Sequence, residues 1–302
     1  MEQRFFTDTS NVFSIDYGDV ILVDGKHYRV TGHERERRFG IEDPKFWVKR
    51  VIDLETGEKK IIKLSFFETF ELLLGGVKIN CFRNPKKEGD ILSLVKNHPH
   101  FMQGQAYPDS QGNIMRILDP ILGPNFFIYI ASLDTDHETY FNTILLDVLN
   151  NLVKAFEAIH FLHAQGFKHG DIRNDHIIVE QGTGHYIWID FDYDFITNEN
   201  PFGLDVIDLG NILLYAVGKG FHTQRMINND VSIYGNLKEQ INPGDFSIIN
   251  RRRLVNLKKF YPYIPTRLND ILIHFSMGAD IYYESVKEIL DDLSECMHHD
   301  FI

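Results

Sequence analysis

Residues 161–195, FLHAQGFKHGDIRNDHIIVEQGTGHYIWIDFDYDF, constrain the fold more than any other part of the chain. Two runs rich in β-branched and aromatic residues, 176–179 and 186–189, flank the polar stretch Gln181-Gly182-Thr183-Gly184. Strand-like runs on either side of a glycine-containing turn predict a β-hairpin. A hairpin returns the chain to where it began. Asp171, ahead of the first strand, and Asp190, behind the second, are therefore expected to converge. Two convergent carboxylates suit a site that holds a divalent metal against phosphate oxygens and orients a hydroxyl for attack. A plain hairpin with polar ends would account for a lone His-x-Asp, but not for the whole run in this order.

At 302 residues the chain is long enough for a large core. Its 43% hydrophobic and 25% charged content is that of a globular protein. The apolar stretch 212–217 is far too short to cross a bilayer. The opening MEQRFFTDTS lacks the charged and apolar regions of a signal peptide, so no membrane partner is expected. A net charge of −12 argues against broad nucleic-acid binding. It also requires that any anionic ligand meet positive charge locally. The two cysteines, Cys81 and Cys296, lie far apart and read as thiols of a reducing cytosol, so a cytoplasmic location is expected.

The central segment resembles the catalytic loop and metal-binding motif of the protein-kinase superfamily, in a divergent, bacterial-type eukaryotic-like form. The family pattern H-R-D-L-x-x-x-N reads here His169-Gly170-Asp171-Ile172-Arg173-Asn174-Asp175-His176, and D-F-G reads Asp190-Phe191-Asp192. Gly170 stands in place of arginine, His176 of asparagine and Asp192 of glycine. The resemblance implies an α+β, bilobal protein-kinase-like fold, with a small antiparallel-sheet lobe carrying one helix and a larger, mainly helical lobe. It implies an N-terminal extension over 1–25, a nucleotide-binding lobe over 26–133 and a catalytic, helical lobe over 134–302.

Upstream, 46–51 and 59–64 read as strands joined by a turn over 53–58. The second ends Lys60-Ile61-Ile62-Lys63 and resembles the family's V-A-I-K. The match makes Lys63 the lysine that pairs with nucleotide phosphates and lays Ile61 over the adenine. Strand alternation puts Lys60 on the opposite face. Within 85–96, Ile91, Leu92 and Val95 fall at helical spacing, with Glu88 one turn before Leu92. The resemblance makes Glu88 the ion-pair partner of Lys63; an acid in a first turn also complements the helix dipole. Residues 113–118 and 126–131 read as two strands around Gly123-Pro124, with 131–133 as the adenine-binding hinge. Ala131, Leu133 and Ile178 are assigned to the nucleotide pocket on that basis. A long helix is expected over 138–164, where Leu145, Leu149, Leu152, Val153, Phe156 and Ile159 repeat at three and four. Asp205, at the start of an apolar helical stretch, matches the family acid that braces the catalytic-loop backbone. Two last helices are expected over 268–275 and 285–293.

Other positions depart from the pattern. Where the family has G-x-G-x-x-G, only Gly32 and Gly40 remain, and Arg35, Arg37 and Arg38 either contact phosphate or form a solvated tip. The cluster 251–253 with Lys258 and Lys259 reads as an exposed helix face, or as a dock for an acidic partner. Arg173 sits where the family has a cation that neutralises the transferred phosphoryl group. His176 puts imidazole where magnesium is offered an oxygen; it suits manganese better, or Asn174 or Asp175 supplies the oxygen instead. Asp192 resembles the acidic residue after Asp-Phe in choline-kinase-like enzymes. The stretch from Asp190 to Asp205 is short and lacks A-P-E, so the family's peptide platform is missing.

The function implied is ATP-dependent transfer of the γ-phosphate to a hydroxyl. Asp171 would be the base, Arg173 the phosphate contact, Asp190 and His176 the ligands of Mg2+ or Mn2+, and Lys63 with Glu88 the nucleotide clamp. Family analogy gives a Ser/Thr of a protein as acceptor. A small-molecule kinase of choline- or aminoglycoside-kinase type, and a nucleotide-binding pseudokinase acting as a scaffold, are the alternatives.

Overall fold

The computed structural model describes residues 3–38, 41–74 and 77–301. The chain divides into two compact units. The first takes Met1–Phe70, Cys81–Leu122 and Ile189–Asp194; the second takes Glu71–Asn80, Gly123–Trp188 and Phe195–Ile302. One is a sheet with a helix, the other mainly helical, an α+β arrangement.

The first unit begins with β1 (Phe5–Phe6), β2 (Val20–Val23), β3 (Lys26–Arg38), β4 (Ile41–Asp53) and β5 (Lys59–Lys63). Strands β6 (Thr69–Leu74) and β7 (Val77–Arg83) carry the chain across the division and back. Helix α1 (Pro85–Leu94), β8 (Gly104–Pro108) and β9 (Ile114–Leu118) complete it. Seven strands make one sheet in the order β1-β2-β3-β4-β5-β9-β8, antiparallel except for the β1–β2 pair. Its buried face gathers Val30, Val51, Ile62, Met115 and Ile117 together with Val12, Ile15, Ile21 and Val23. Residues 1–25, read from sequence as an extension, thus supply two strands and part of the core. Lys49 is buried beneath them, where its ammonium donates to the carbonyls of Val12 at 2.9 Å and Ile15 at 2.5 Å. Burial pushes its pKa down to about 8, against the pull of Asp16 and Asp19.

Helix α1 starts at Asn84, whose side chain accepts from the Lys87 N–H, with Pro85 in the first turn. It lies close over β8: a Cβ added at Gly89 would come within 2.8 Å of the Ala106 Cβ. That close approach sets the depth at which the neighbouring Glu88 sits.

The second unit contains α2 (Phe126–Ala131), α3 (His137–Thr143), α4 (Leu145–Ala164), β10 (Ile177–Val179), β11 (Tyr186–Trp188) and, running into it, β12 (Tyr193–Ile196). There follow α5 (Gly203–Val217), the short α6 (Gln224–Asn229), α7 (Val231–Tyr234) and α8 (Leu237–Gln240), then α9 (Thr266–Ile273) and α10 (Val286–Asp300). The expected hairpin is present: β10 and β11 pair antiparallel, with Ile178 opposite Ile187. Trp188 fastens it to α4 by donating from its indole to the Ala155 carbonyl at 2.8 Å.

Three expectations are corrected. Residues 126–131 form a helix, not a strand. Asn125 caps it by accepting from the Ile128 N–H, and burial falls on Phe126 and Ile130, four apart, while Phe127 and Ile128 face outward. The single helix expected over 138–164 is two, α3 and α4, divided at Ile144. Residues 251–253 form a turn rather than a helix face, and the Arg253 guanidinium lies 3.8 Å from the Phe221 ring centroid. No helix among the described residues is long and apolar enough to cross a membrane.

Candidate functional site

The residues singled out from sequence fall into two groups, one in each unit. In the first unit, β5 ends on Lys63, whose register against β9 places it opposite Arg116. Strand alternation turns both side chains inward, and both are almost wholly buried. Lys63 Nζ donates to Glu88 Oε1 at 2.8 Å and to Asp190 Oδ1 at 2.9 Å, and lies 3.3 Å from Asp192. Arg116 donates to the other oxygen of Glu88 at 2.8 Å. Arg83 donates to both oxygens of Asp192, at 2.9 and 3.0 Å. Lys45 reaches Asp190 at 3.5 Å. The acids Glu88, Asp190 and Asp192 are thus interleaved with the bases Lys63, Arg83 and Arg116.

Burial sets the electrostatics of this cluster. It would drive protons off Lys63, but Asp190, Asp192 and Glu88 outweigh it and raise the lysine pKa. It would likewise raise Asp192, yet Lys63 and Arg83, with Arg116 behind them, pull that carboxyl down to about 2. Both groups are therefore charged at neutral pH. Asp190 has φ +61°, a left-handed conformation that a non-glycine residue adopts only where its surroundings impose it. Phe191 is fully buried and meets Phe101 edge to face. Asp190 is the member of the cluster whose carboxylate keeps appreciable exposure, at 24%.

In the second unit residues 169–176 lie between α4 and the hairpin. Asp205, in the first turn of α5, accepts from the N–H of His169 at 2.7 Å and of Gly170 at 2.9 Å, and pairs with His163 at 3.0 Å. Burial opposes its charge, but the His163 contact and the loop amides keep its carboxyl below the usual range. Gly170 has φ +85°, which a residue with a Cβ would reach only under strain. The Asp171 carbonyl accepts from Nδ1 of His176 at 2.8 Å. A carbonyl can only accept, so Nδ1 carries a proton and, in the neutral ring, Nε2 carries the lone pair. Nδ1 also lies 3.4 Å from Asp171 Oδ2. Arg173 is not extended alone: its fork holds Asp175 at 2.6 and 3.0 Å.

Two of the expected nucleotide contacts change place. Ala131 ends helix α2 and Leu133 follows it, so neither lies on a strand-to-strand hinge; Ala131 is exposed. The link from β9 to the second unit is instead 119–123. Ile61 lies on β5 opposite Leu118, and Ile178 on β10 bridges to Asn125. Of the arginine-rich loop, the side chains of residues 36–42 lie outside the described set, Arg37 and Arg38 among them.

Sequence reading missed Arg116, Arg83 and Asp208. Arg116 left a trace, a lone cation inside the apolar run Ile114–Leu118. Arg83 left none, because its partner Asp192 is distant in sequence. Asp208 on α5 is pushed well above the usual carboxylate range by burial and by the charges of Asp205 and Asp171.

Among the described residues, no three His, Cys, Asp or Glu side chains gather as a ready-made metal cage. One group of the sheet unit suits a magnesium-type ion nonetheless, the Asp190 carboxylate. Such ions are held by one or two protein groups and completed by phosphate oxygens and water. In the helical unit, His176 donates through Nδ1 to a backbone carbonyl, the tautomer that a metal-ligating histidine requires.

No family model matches the sequence, and no curated protein matches it. Among solved structures the chain is similar to the crystal structure of Rad53 1–466 in complex with AMP-PNP, with a TM-score of 0.47 and 16% identity. The similarity covers 81% of this chain and 60% of that one, so the chain spans less than two thirds of its length. At that level nothing about activity carries over.

Proposed function

We propose that the chain is an ATP- and divalent-metal-dependent phosphotransferase that delivers the γ-phosphoryl group to a hydroxyl. The observation that carries this reading is Lys63, a buried and charged lysine held 2.8 Å from the α1 carboxylate of Glu88 and 2.9 Å from Asp190. A buried ammonium fixed beside an accessible carboxylate is an arrangement for a polyanion and its counter-ion. The further roles rest on the resemblance. Asp171 accepts or orients the hydroxyl proton, and Asp205 fixes the loop that carries it. Asp190 and His176 would hold the metal, which when bound neutralises charge on the phosphates. Arg173 contacts the transferred group by exchanging Asp175 for phosphate oxygens, a change open to a pair that is about 40% exposed on each side. Ile61 and Ile178 line the base.

Family analogy makes the acceptor a Ser/Thr side chain of a protein. The short passage from Asp190 through β12 into α5 favours the second reading, a small hydroxylated molecule. A scaffold that binds nucleotide without turning it over is the third. A cytoplasmic location belongs to the same proposal, on the cysteine content alone.

Labelled ATP with magnesium or manganese tests the proposal. Wild type should transfer label to itself, to an acceptor or to water. Asp171→Asn should bind nucleotide about as well and lose nearly all transfer. ATP with metal should raise the melting temperature of wild type, and Lys63→Met should remove most of that rise. Equal residual transfer by wild type and Asp171→Asn would end the enzyme reading. An undiminished thermal shift in Lys63→Met would assign the phosphates to another cation.

A further inference from the structure

The metal-motif segment Ile189–Asp194 packs with the sheet unit, although the residues before and after it belong to the helical unit. Its anchorage centres on Asp192. Nη1 of Arg83, the last residue of β7, donates to both Asp192 oxygens at 2.9 and 3.0 Å, and its Nε donates to Glu68 at 3.1 Å. The guanidinium lies 4.1 Å from the Tyr193 ring centroid and 5.2 Å from that of Trp47. The Tyr193 hydroxyl donates to the same Glu68 at 2.5 Å. The backbone is held too: the Asn84 N–H donates to the Asp192 carbonyl at 2.6 Å, and the Lys87 ammonium donates to the Tyr193 carbonyl. Residues 83, 84 and 87 run directly into Glu88, which holds Lys63. Held by Asp192 through Nη1 and by Glu68 through Nε, the planar guanidinium is fixed in direction as well as distance. Both partners are buried, so neither can drift without leaving a charge uncompensated.

We infer that Arg83 is a positioning residue: through Asp192 it ties the first turn of α1 to the metal-motif loop, so that Glu88, Lys63 and Asp190 are presented as one preassembled set. The tie itself stands on geometry; its catalytic consequence rests on the phosphotransferase reading. Arg83 acts through Asp192 and not on nucleotide or acceptor. With the tie in place, α1 and the loop order together, and no separate event is needed to bring the glutamate to the lysine.

The test uses the full chain with Arg83→Met, Arg83→Lys, Asp192→Asn and the double variant Arg83→Met/Asp192→Asn. Amide hydrogen exchange is read at 84–88 and 190–194, and KM and kcat are read against metal–ATP. In Arg83→Met the two segments should lose protection together while β3 and β4 keep theirs. The KM for metal–ATP should rise about ten- to a hundredfold, the scale seen when outer-shell partners of a metal ligand are lost. Arg83→Lys, which keeps the charge without the planar guanidinium that joins Asp192 to Glu68, should recover part of it. The double variant should be no worse than either single one, because each already breaks the same tie. If Arg83→Met does not fold, Asp192→Asn keeps the side-chain shape and carries the same comparison. Additive singles, an unchanged KM, or protection lost evenly over the whole chain would overturn the inference. Coupled loss of protection in Arg83→Met, beside a wild type that neither binds nor turns over ATP, keeps the tie and removes the phosphotransferase. Active wild type with uncoupled segments does the reverse.

Discussion

The ring of His176 donates from Nδ1 to the Asp171 carbonyl at 2.8 Å. The bond leaves a nitrogen lone pair on Nε2, where the resemblance expects an amide oxygen. Nitrogen is a poor ligand for magnesium and a better one for manganese. Initial rates should therefore be higher with manganese than with magnesium, and His176→Asn should narrow the gap. A wild type that prefers magnesium, with no change in the variant, would place His176 outside the metal shell. Lys63 and Glu88 were legible through the resemblance, with alternation along a strand and a three-to-four repeat along a helix supporting the elements that carry them. The pairing of Arg83 with Asp192 was not. Their bond joins residues 109 positions apart, and an arginine before a helix looks the same whether it is solvated or bonded to a buried acid.

At the scale of elements, α5 depends on a residue with no side chain. A Cβ added at Gly210 would meet the Phe275 ring at 2.2 Å, so the helix can lie against that ring only as it is. Gly210→Ala should lower the melting temperature by an amount corresponding to about 1–3 kcal/mol, the usual size of an overpacking penalty. Because α5 also carries Asp205, exchange at the His169 and Gly170 amides should rise in the same variant. A thermal midpoint equal to wild type would mean that Phe275 swings away freely. The hairpin and most long helices were readable because their periodicity is sustained. Helix α2 was not: its apolar run Phe126–Ala131 fits either period, and the deciding signal is the capping side chain of Asn125. The break between α3 and α4 has no side-chain cap and no proline or glycine to announce it.

Across the whole molecule, two histidines of the helical unit set the response to acid. His137 donates to the Val217 carbonyl through Nε2 and accepts from the Tyr263 hydroxyl; His222 donates to the Gly218 carbonyl and accepts from Tyr234. Burial holds both neutral, with pKa values pushed down to about 4 despite those carbonyls. The unfolded chain binds protons at these sites below about 6.5 while the folded chain does not, so stability falls as pH drops from about 6.5 to about 4. Each contributes on the order of 2–3 kcal/mol to that loss. Asp192, held down to about 2 when folded, adds a second loss between about 4 and about 2. Melting temperatures from pH 7 to pH 3 should show the first limb, and His222→Gln should remove about half of it, the His137 share remaining, while leaving the second. A level profile from pH 7 to pH 4.5 would show that the histidines are not held neutral. The path of the chain has one more consequence. Because Ile189–Asp194 belongs to the sheet unit, no single cut yields two self-sufficient halves. A fragment ending at Leu122 would keep Lys63, Arg83 and Arg116 with Glu88 but lose Asp190 and Asp192, leaving a net positive cluster where the native core balances its ions. Dissection or split-protein complementation would therefore have to supply a short acidic peptide as the missing counter-charge.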